Sequence, residues 1–177
     1  MTEAKITIEN NFLNSEVLSK IQEVMMGPYL FPWYYSNDVD YANDEHATNT
    51  FQFIHMFYQN SAPQEKISVV SGILERINPL AILRIKANLS TRTPHIVENK
   101  FHTDIGGIDS QLNQWTTSIF YVNSNDGYTE FEDGTKVESV ANRLVSFPAD
   151  MEHRGTSCTN ENIRVIINFN YMRANKI

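Results

Sequence analysis

A single cysteine, Cys158, leaves the chain no internal disulfide to staple it. No apolar run approaches the roughly 20 residues that carry a helix across a bilayer, and Met1–Asn10 has no apolar segment of signal-peptide type. No membrane partner and a reducing, cytoplasmic setting are therefore expected. Basic residues are scarce: 14 Lys and Arg against 21 Asp and Glu give a formal charge of −7. Such a chain has no broad attraction to phosphate backbones, which ranks nucleic acid low among its partners. Internal repeats, low-complexity tracts and long linkers are also missing. What remains is ordinary globular composition, 41% hydrophobic and 20% charged over 177 residues. That suits one domain, 1–177, with a sizeable core.

Periodicity divides this domain into two parts, residues 1–80 and 81–172. In the first, a strand-like stretch at Lys5–Ile8 precedes apolar Val17, Leu18, Ile21, Val24 and Met25 at helical spacing. Asn14 or Ser15 is the candidate N-cap of that helix and Gly27-Pro28 its stop. Tyr29–Tyr35 and Thr50–Tyr58 read as strands on either side of a loop rich in Asn and Asp. Ser61-Ala-Pro is expected to cap a second helix, Gln64–Ile77, which Asn78-Pro79 ends. The second part consists of short alternating runs, at Ile82–Asn88, Trp115–Asn123, Tyr128–Phe131, Lys136–Val140, Arg143–Phe147 and Ile163–Tyr171. Many short strands without intervening helices favour a mainly β (α+β) sandwich or jelly roll over a parallel α/β sheet, with the two helices covering one face.

Three groups in order carry candidate chemistry. His102 and Asp104 stand two apart in a strand-like setting, where side chains at i and i+2 share a face and can share a metal. His153 follows an apolar strand and a turn. Two histidines and one carboxylate make the facial triad, which leaves three positions of non-haem Fe(II) open. Arg164 lies eleven residues beyond His153, close enough for an antiparallel return to bring its planar fork to the same cavity, where it would pair with a carboxylate. On this last strand Val165, Ile167 and Phe169 form an apolar face, while Arg164 shares the other with Ile166, Asn168 and Asn170. Such a mixed face looks either at water or into a polar cavity.

The order His-x-Asp, His, then Arg, within short strands over roughly 81–172, resembles the prolyl-hydroxylase-like family of Fe(II)- and 2-oxoglutarate-dependent dioxygenases. The resemblance implies a double-stranded β-helix, or jelly roll, with supporting N-terminal helices. It makes His102, Asp104 and His153 the metal ligands and Arg164 the partner of the cosubstrate's distal carboxylate. Tyr121, with Thr117 and Ile119 on its face, would hydrogen-bond that same carboxylate, and Asn88 stands where relatives often carry a tyrosine that contacts the cosubstrate. Gly127-Tyr128 departs from the family's usual pair of glycines before the acidic residue of Tyr128–Phe131. The implied cofactors are Fe(II), 2-oxoglutarate and O2, with ascorbate as reductant. The implied reaction hydroxylates a C–H bond and releases succinate and CO2.

Each residue also has a plainer reading. His102 and Asp104 can be a surface strand pair, Arg164 a solvated arginine, and Tyr121 a core aromatic. His46, His55 and His95 lack partners at ligand spacing and are read as structural or exposed. Arg84, Lys86 and Asn88 form one polar face, turned to solvent or lining a cavity mouth, and the 90–100 loop is placed to act as a lid. For substrate, a protein or peptide side chain, proline among them, ranks first, and a free small molecule or amino acid second. The reading from another class is a jelly-roll binding module without turnover. Oligomeric state is not legible.

Overall fold

The computed structural model describes residues 6–37, 51–105 and 114–173. In chain order the elements are β1 (Thr7–Glu9), α1 (Ser15–Met26), β2 (Tyr34–Ser36), β3 (Gln52–Gln59), β4 (Ala62–Pro63), α2 (Ser71–Ile77) and β5 (Pro79–Thr91). They are followed by β6 (Trp115–Tyr121), β7 (Tyr128–Phe131), β8 (Lys136–Glu138), β9 (Arg143–Pro148), β10 (His153–Gly155) and β11 (Ile163–Arg173). Among the described residues an eight-stranded antiparallel sheet runs β1-β9-β6-β11-β5-β3-β2, with β4 on β3, and a three-stranded sheet runs β10-β7-β8. The two sheets form the jelly-roll-like sandwich expected from the sequence. Strands of the first 60 residues complete the large sheet at both edges, β1 on β9 and β3 on β5.

The alternation of β11 decides what each side of the large sheet packs against. Val165, Ile167 and Phe169 point outward with Ile85, Ala87, Leu89 and Phe120, and the helices bring Ile21, Met25 and Ile73 onto them. This is the larger core. The inward side, with Ile119, Tyr121, Val145 and Ile166, meets Phe131 and Val137 of the small sheet. Two packed layers on one sheet hold β11 rigid, because each face loses its contact with water.

Local chemistry explains the boundaries. Asn14 caps α1, its side chain accepting from Val17 N at 2.9 Å. The aromatic stretch from Tyr29 becomes a strand only at Tyr34, because Phe31 and Trp33 turn into the core while Tyr29 and Leu30 lie exposed. The second helix is shorter than expected. Ala62-Pro63 pairs with β3 instead of capping, Lys66 takes a left-handed conformation (φ 63°), and a 3-10 turn at Ile67–Val70 leads into α2. Lys5, the 38–50 part of the polar loop and His46 lie outside the described residues. His55 is buried between Phe31 and Phe57, with ring centroids 4.6 Å from each, and His95 is exposed, matching the structural or exposed roles assigned to them. Among the described residues no helix is long and apolar enough to cross a membrane.

Candidate metal and carboxylate site

The inner side of the large sheet and the small sheet enclose a cavity. Its wall includes Lys86, Asn88 and Ser90 of β5, Arg164, Ile166 and Asn168 of β11, and His102, Asp104 and His153. The mixed face of β11 therefore lines a polar cavity rather than facing water, and so do Lys86 and Asn88.

His153 opens β10 opposite Phe131, its ring packed edge-on against Phe147 with centroids 4.8 Å apart. His102 was expected in a strand, but it forms an isolated bridge to His153, with N–H···O bonds of 3.0 Å in both directions. A second bridge, Glu98 to Thr156, lies out of step with the first by one residue, so the 98–102 segment is a rudimentary extra strand of the small sheet. The pairing puts both imidazoles on one side, with ring centroids 4.9 Å apart. Asp104 sits past this bridge, in a bend, so strand alternation does not aim it. The large sheet does: Arg84 donates to Asp104 Oδ1 at 3.1 Å and Asn170 to Oδ2 at 3.2 Å.

The three side chains converge. His102 Nε2 is 4.0 Å from Asp104 Oδ1, His153 Nε2 is 3.9 Å from Oδ2, and the candidate ligating atoms all lie within 4.8 Å of one another. Each imidazole has Nδ1 against a backbone carbonyl, His102 on Lys100 at 3.1 Å and His153 on Met151 at 3.2 Å. With Nδ1 carrying the hydrogen in those contacts, both Nε2 lone pairs are presented to the shared point. Burial is the largest single influence on Asp104 and pushes its pKa up. His153, Arg84, His102 and the Asn170 bond outweigh it, and the carboxyl stays below its usual range.

Arg164 lies in the same cavity wall and is 3% exposed. Its Nε donates to Ser139 Oγ at 2.9 Å and one terminal nitrogen to Tyr128 O at 3.3 Å, and no ion pair reaches it among the described residues. Burial lowers its pKa, against the opposing influence of Tyr121 and Cys158. A buried guanidinium without a carboxylate is costly, and it is open to an anionic ligand. Gly127 makes its position possible: a Cβ there would come 2.7 Å from Arg164 Cδ and 2.6 Å from Ser157 O.

The other two sequence-derived residues part company. Asn88 lines the cavity, and its Oδ1 is buried without a hydrogen-bond partner. Tyr121 is fully buried beneath the Arg164 guanidinium, its hydroxyl donating to Thr129 Oγ1 at 2.8 Å, and Thr129 rather than Tyr121 forms the cavity wall. Burial, the largest influence, raises the pKa of that phenol. Sequence reasoning put Asn168 on the strand face of Arg164 without a site role, although its buried Oδ1 is also unpartnered, and it left out the hold of Arg84 and Asn170 on Asp104. The alternation of β5 and β11 carried the signal for all three. The 90–100 loop, read as a lid, is fastened to β10 and the chain after it: Thr93 N donates to Cys158 O at 3.0 Å, Val97 N to Ser157 Oγ at 2.8 Å, and Asn99 N to Gly155 O at 3.1 Å.

No family model and no curated protein sequence matches the chain. Solved structures do match its fold. A Trichoplax adhaerens prolyl hydroxylase in complex with a hypoxia inducible factor oxygen degradation domain peptide fragment aligns at TM-score 0.60 and 14% identity, covering 95% of this chain and 83% of that one. The viral collagen prolyl hydroxylase of Paramecium bursaria Chlorella virus-1, in its 2OG complex, aligns at 0.58 and 14%, covering 96% of each chain. HygX of Streptomyces hygroscopicus, with nickel, 2-oxoglutarate and hygromycin B bound, aligns at 0.60 and 8%, covering 97% of this chain and 84% of that one. At such identities the likeness is one of fold.

Proposed function

We propose that the protein is an Fe(II)- and 2-oxoglutarate-dependent dioxygenase that hydroxylates a substrate C–H bond. The observation that carries this reading is one cavity holding both a His102–Asp104–His153 donor set, with ligating atoms within 4.8 Å, and a buried Arg164 that no carboxylate of the described residues neutralises. The donor chemistry fits: two imidazoles and one carboxylate suit a first-row divalent ion and leave coordination positions open. The buried Oδ1 atoms of Asn88 and Asn168 are acceptors without protein partners, so that part of the wall suits a hydrogen-bond donor such as a substrate hydroxyl or a water rather than the anion itself.

Bound there, Fe(II) and 2-oxoglutarate supply the activation of O2, with release of succinate and CO2 and transfer of one oxygen atom to the substrate C–H bond. The chain's own residues do the holding. His102 and His153 present Nε2 because their Nδ1 atoms are tied to carbonyls, and Asp104 keeps its carboxylate ionised through Arg84 and Asn170. Arg164 takes the far carboxylate of the cosubstrate. Tyr121 supports Arg164 from below and sets Thr129 on the wall. Ile119 and Ile166 supply the apolar part of the cavity wall.

As substrate we place first a protein or peptide side chain, with proline the residue to test, since two of the fold neighbours are prolyl hydroxylases and one carries a peptide. A specific observation favours a second reading, a small polar molecule such as HygX binds: Gln52, Lys86, Ser90 and Asn99 make the wall hydrophilic. The test is succinate formation from 2-oxoglutarate in the presence of Fe(II) and ascorbate, followed by NMR with and without added substrate. Wild type should form succinate and the His102→Ala protein should not. Equal background in both would favour a jelly-roll binding module.

A further inference from the structure

Arg164 is anchored through part of its fork and keeps the rest. Nε donates to Ser139 Oγ at 2.9 Å and Nη2 to Tyr128 O at 3.3 Å. Nη1 makes no hydrogen bond among the described residues and lies beside Gly155, where a Cβ would come 3.6 Å from it. Gly155 pairs with Thr129 across β10 and β7. Directly opposed residues of an antiparallel pair turn to the same face, with Cβ positions about 5 Å apart. Thr129, Gly155 and Arg164 all line the cavity. The Thr129 side chain and Arg164 Nη1 therefore flank one spot, which the missing Cβ of Gly155 leaves open.

The Thr129 hydroxyl has a hydrogen to spare. Tyr121 donates to Thr129 Oγ1 at 2.8 Å, while the other acceptor in reach of the phenol, Val137 O, is 3.4 Å away. In the short bond Thr129 is thus the acceptor. A threonine hydroxyl carries one hydrogen of its own besides its lone pairs, and among the described residues no acceptor takes it. We infer that Thr129 and Arg164 Nη1 together take the far carboxylate of the cosubstrate over Gly155, and that the Tyr121 hydroxyl acts on it only through Thr129. The inference rests on the dioxygenase reading above. It departs from the sequence expectation, in which the Tyr121 hydroxyl bonds that carboxylate directly. A hydroxyl that accepts from one group while donating to an anion is polarised in the favourable sense, and hydrogen bonds to a charged acceptor are the strong ones. Thr129 is then a cosubstrate-binding residue and Tyr121 a positioning residue.

The experiment is calorimetry on the Ni(II)-loaded full chain with two keto acids, 2-oxoglutarate and 2-oxopentanoate, which has a methyl group in place of the far carboxylate. Wild type should prefer 2-oxoglutarate. Thr129→Val should weaken 2-oxoglutarate about tenfold or more and leave 2-oxopentanoate unchanged, while Thr129→Ser, which keeps the hydroxyl, should stay close to wild type. Adding Tyr121→Phe to Thr129→Val should cost no further affinity for 2-oxoglutarate. Should the valine protein fail to fold, Gly155→Ala decides. Its methyl group meets Arg164 Nη1 and Asn99 Nδ2 only at 3.6 and 3.8 Å, ordinary contacts, yet fills the place assigned to the carboxylate. Unchanged 2-oxoglutarate affinity in Thr129→Val or in Gly155→Ala overturns the inference, and so do equal losses for both keto acids in Thr129→Val or a further loss in the double variant. In each of those cases the wild-type preference for 2-oxoglutarate leaves the dioxygenase reading standing. A wild type that binds neither keto acid overturns that reading, and the Thr129 inference with it.

Discussion

The guanidinium carbon of Arg164 lies 5.8 Å from the centroid of the Tyr121 ring, while the Tyr121 hydroxyl is turned to Thr129. The ring and the hydroxyl therefore act on different things. Arg164→Met should weaken 2-oxoglutarate binding about tenfold to a hundredfold, the scale of lost charge-assisted hydrogen bonds. Tyr121→Phe, which keeps the ring beneath Arg164, should cost about threefold or less, and Tyr121→Ala distinctly more. Calorimetry with Ni(II)-loaded protein separates these. A Tyr121→Phe loss as large as that of Arg164→Met would mean that the hydroxyl itself reaches the cosubstrate.

Gly127 is the close approach on which Arg164 depends. A methyl group there meets Ser157 O and Arg164 Cδ at well under van der Waals distance, so one of them must shift. Gly127→Ala should reduce 2-oxoglutarate affinity with little change in affinity for Ni(II) alone, because the triad lies on other elements. Parallel Ni(II) and cosubstrate titrations check this, and equal losses in both would point to general unfolding.

Phe147 packs edge-on against both Phe131 and His153, with centroids 4.8 Å from each. Phe147→Ala should destabilise the protein by about 3–5 kcal/mol, the cost of emptying such a site, and should also weaken metal binding by freeing the His153 ring. Chemical denaturation measures the first and a Ni(II) titration the second. A fully stable variant would contradict the packing described.

Much of this was legible in the sequence because strand chemistry is periodic. The alternation of Val165, Ile167 and Phe169 against Arg164, Asn168 and Asn170 foretold the core under β11 and left its other face open between water and the polar cavity it lines. Tyr128–Phe131 was bounded to the residue because Asn and Gly turns flank it. The second helix was overread. Nothing local announces that Ala62-Pro63 pairs with β3 or that Lys66 takes a positive φ, both of which are set by tertiary contacts. At the site, sequence order suggested the triad, but not that Asp104 is aimed by Arg84 and Asn170, 20 and 66 residues away. The Tyr121 hydroxyl shows the same limit, since its partner Thr129 belongs to the opposite sheet.

Asp104 also gives the metal-free protein a pH dependence. Its folded pKa is depressed, so the stabilisation it contributes is complete above the unfolded value of about 3.9 and is lost as pH falls through the folded one. Metal-free wild type should therefore lose stability on acidification below about pH 4 more steeply than Asp104→Asn. Thermal melts at a series of pH values give the comparison, and identical slopes would mean that His153, Arg84, His102 and Asn170 together do not favour the ionised form.

The most direct test of the central claim is anaerobic addition of Fe(II) and 2-oxoglutarate to the protein, watching for the visible metal-to-ligand charge-transfer band that arises when the keto acid chelates protein-bound Fe(II). The account predicts the band in wild type, its loss in His153→Ala and Asp104→Ala, and its appearance only at much higher 2-oxoglutarate in Arg164→Met. A wild type with no band at saturating Fe(II) and 2-oxoglutarate, or a band indifferent to His153 and Asp104, would contradict it.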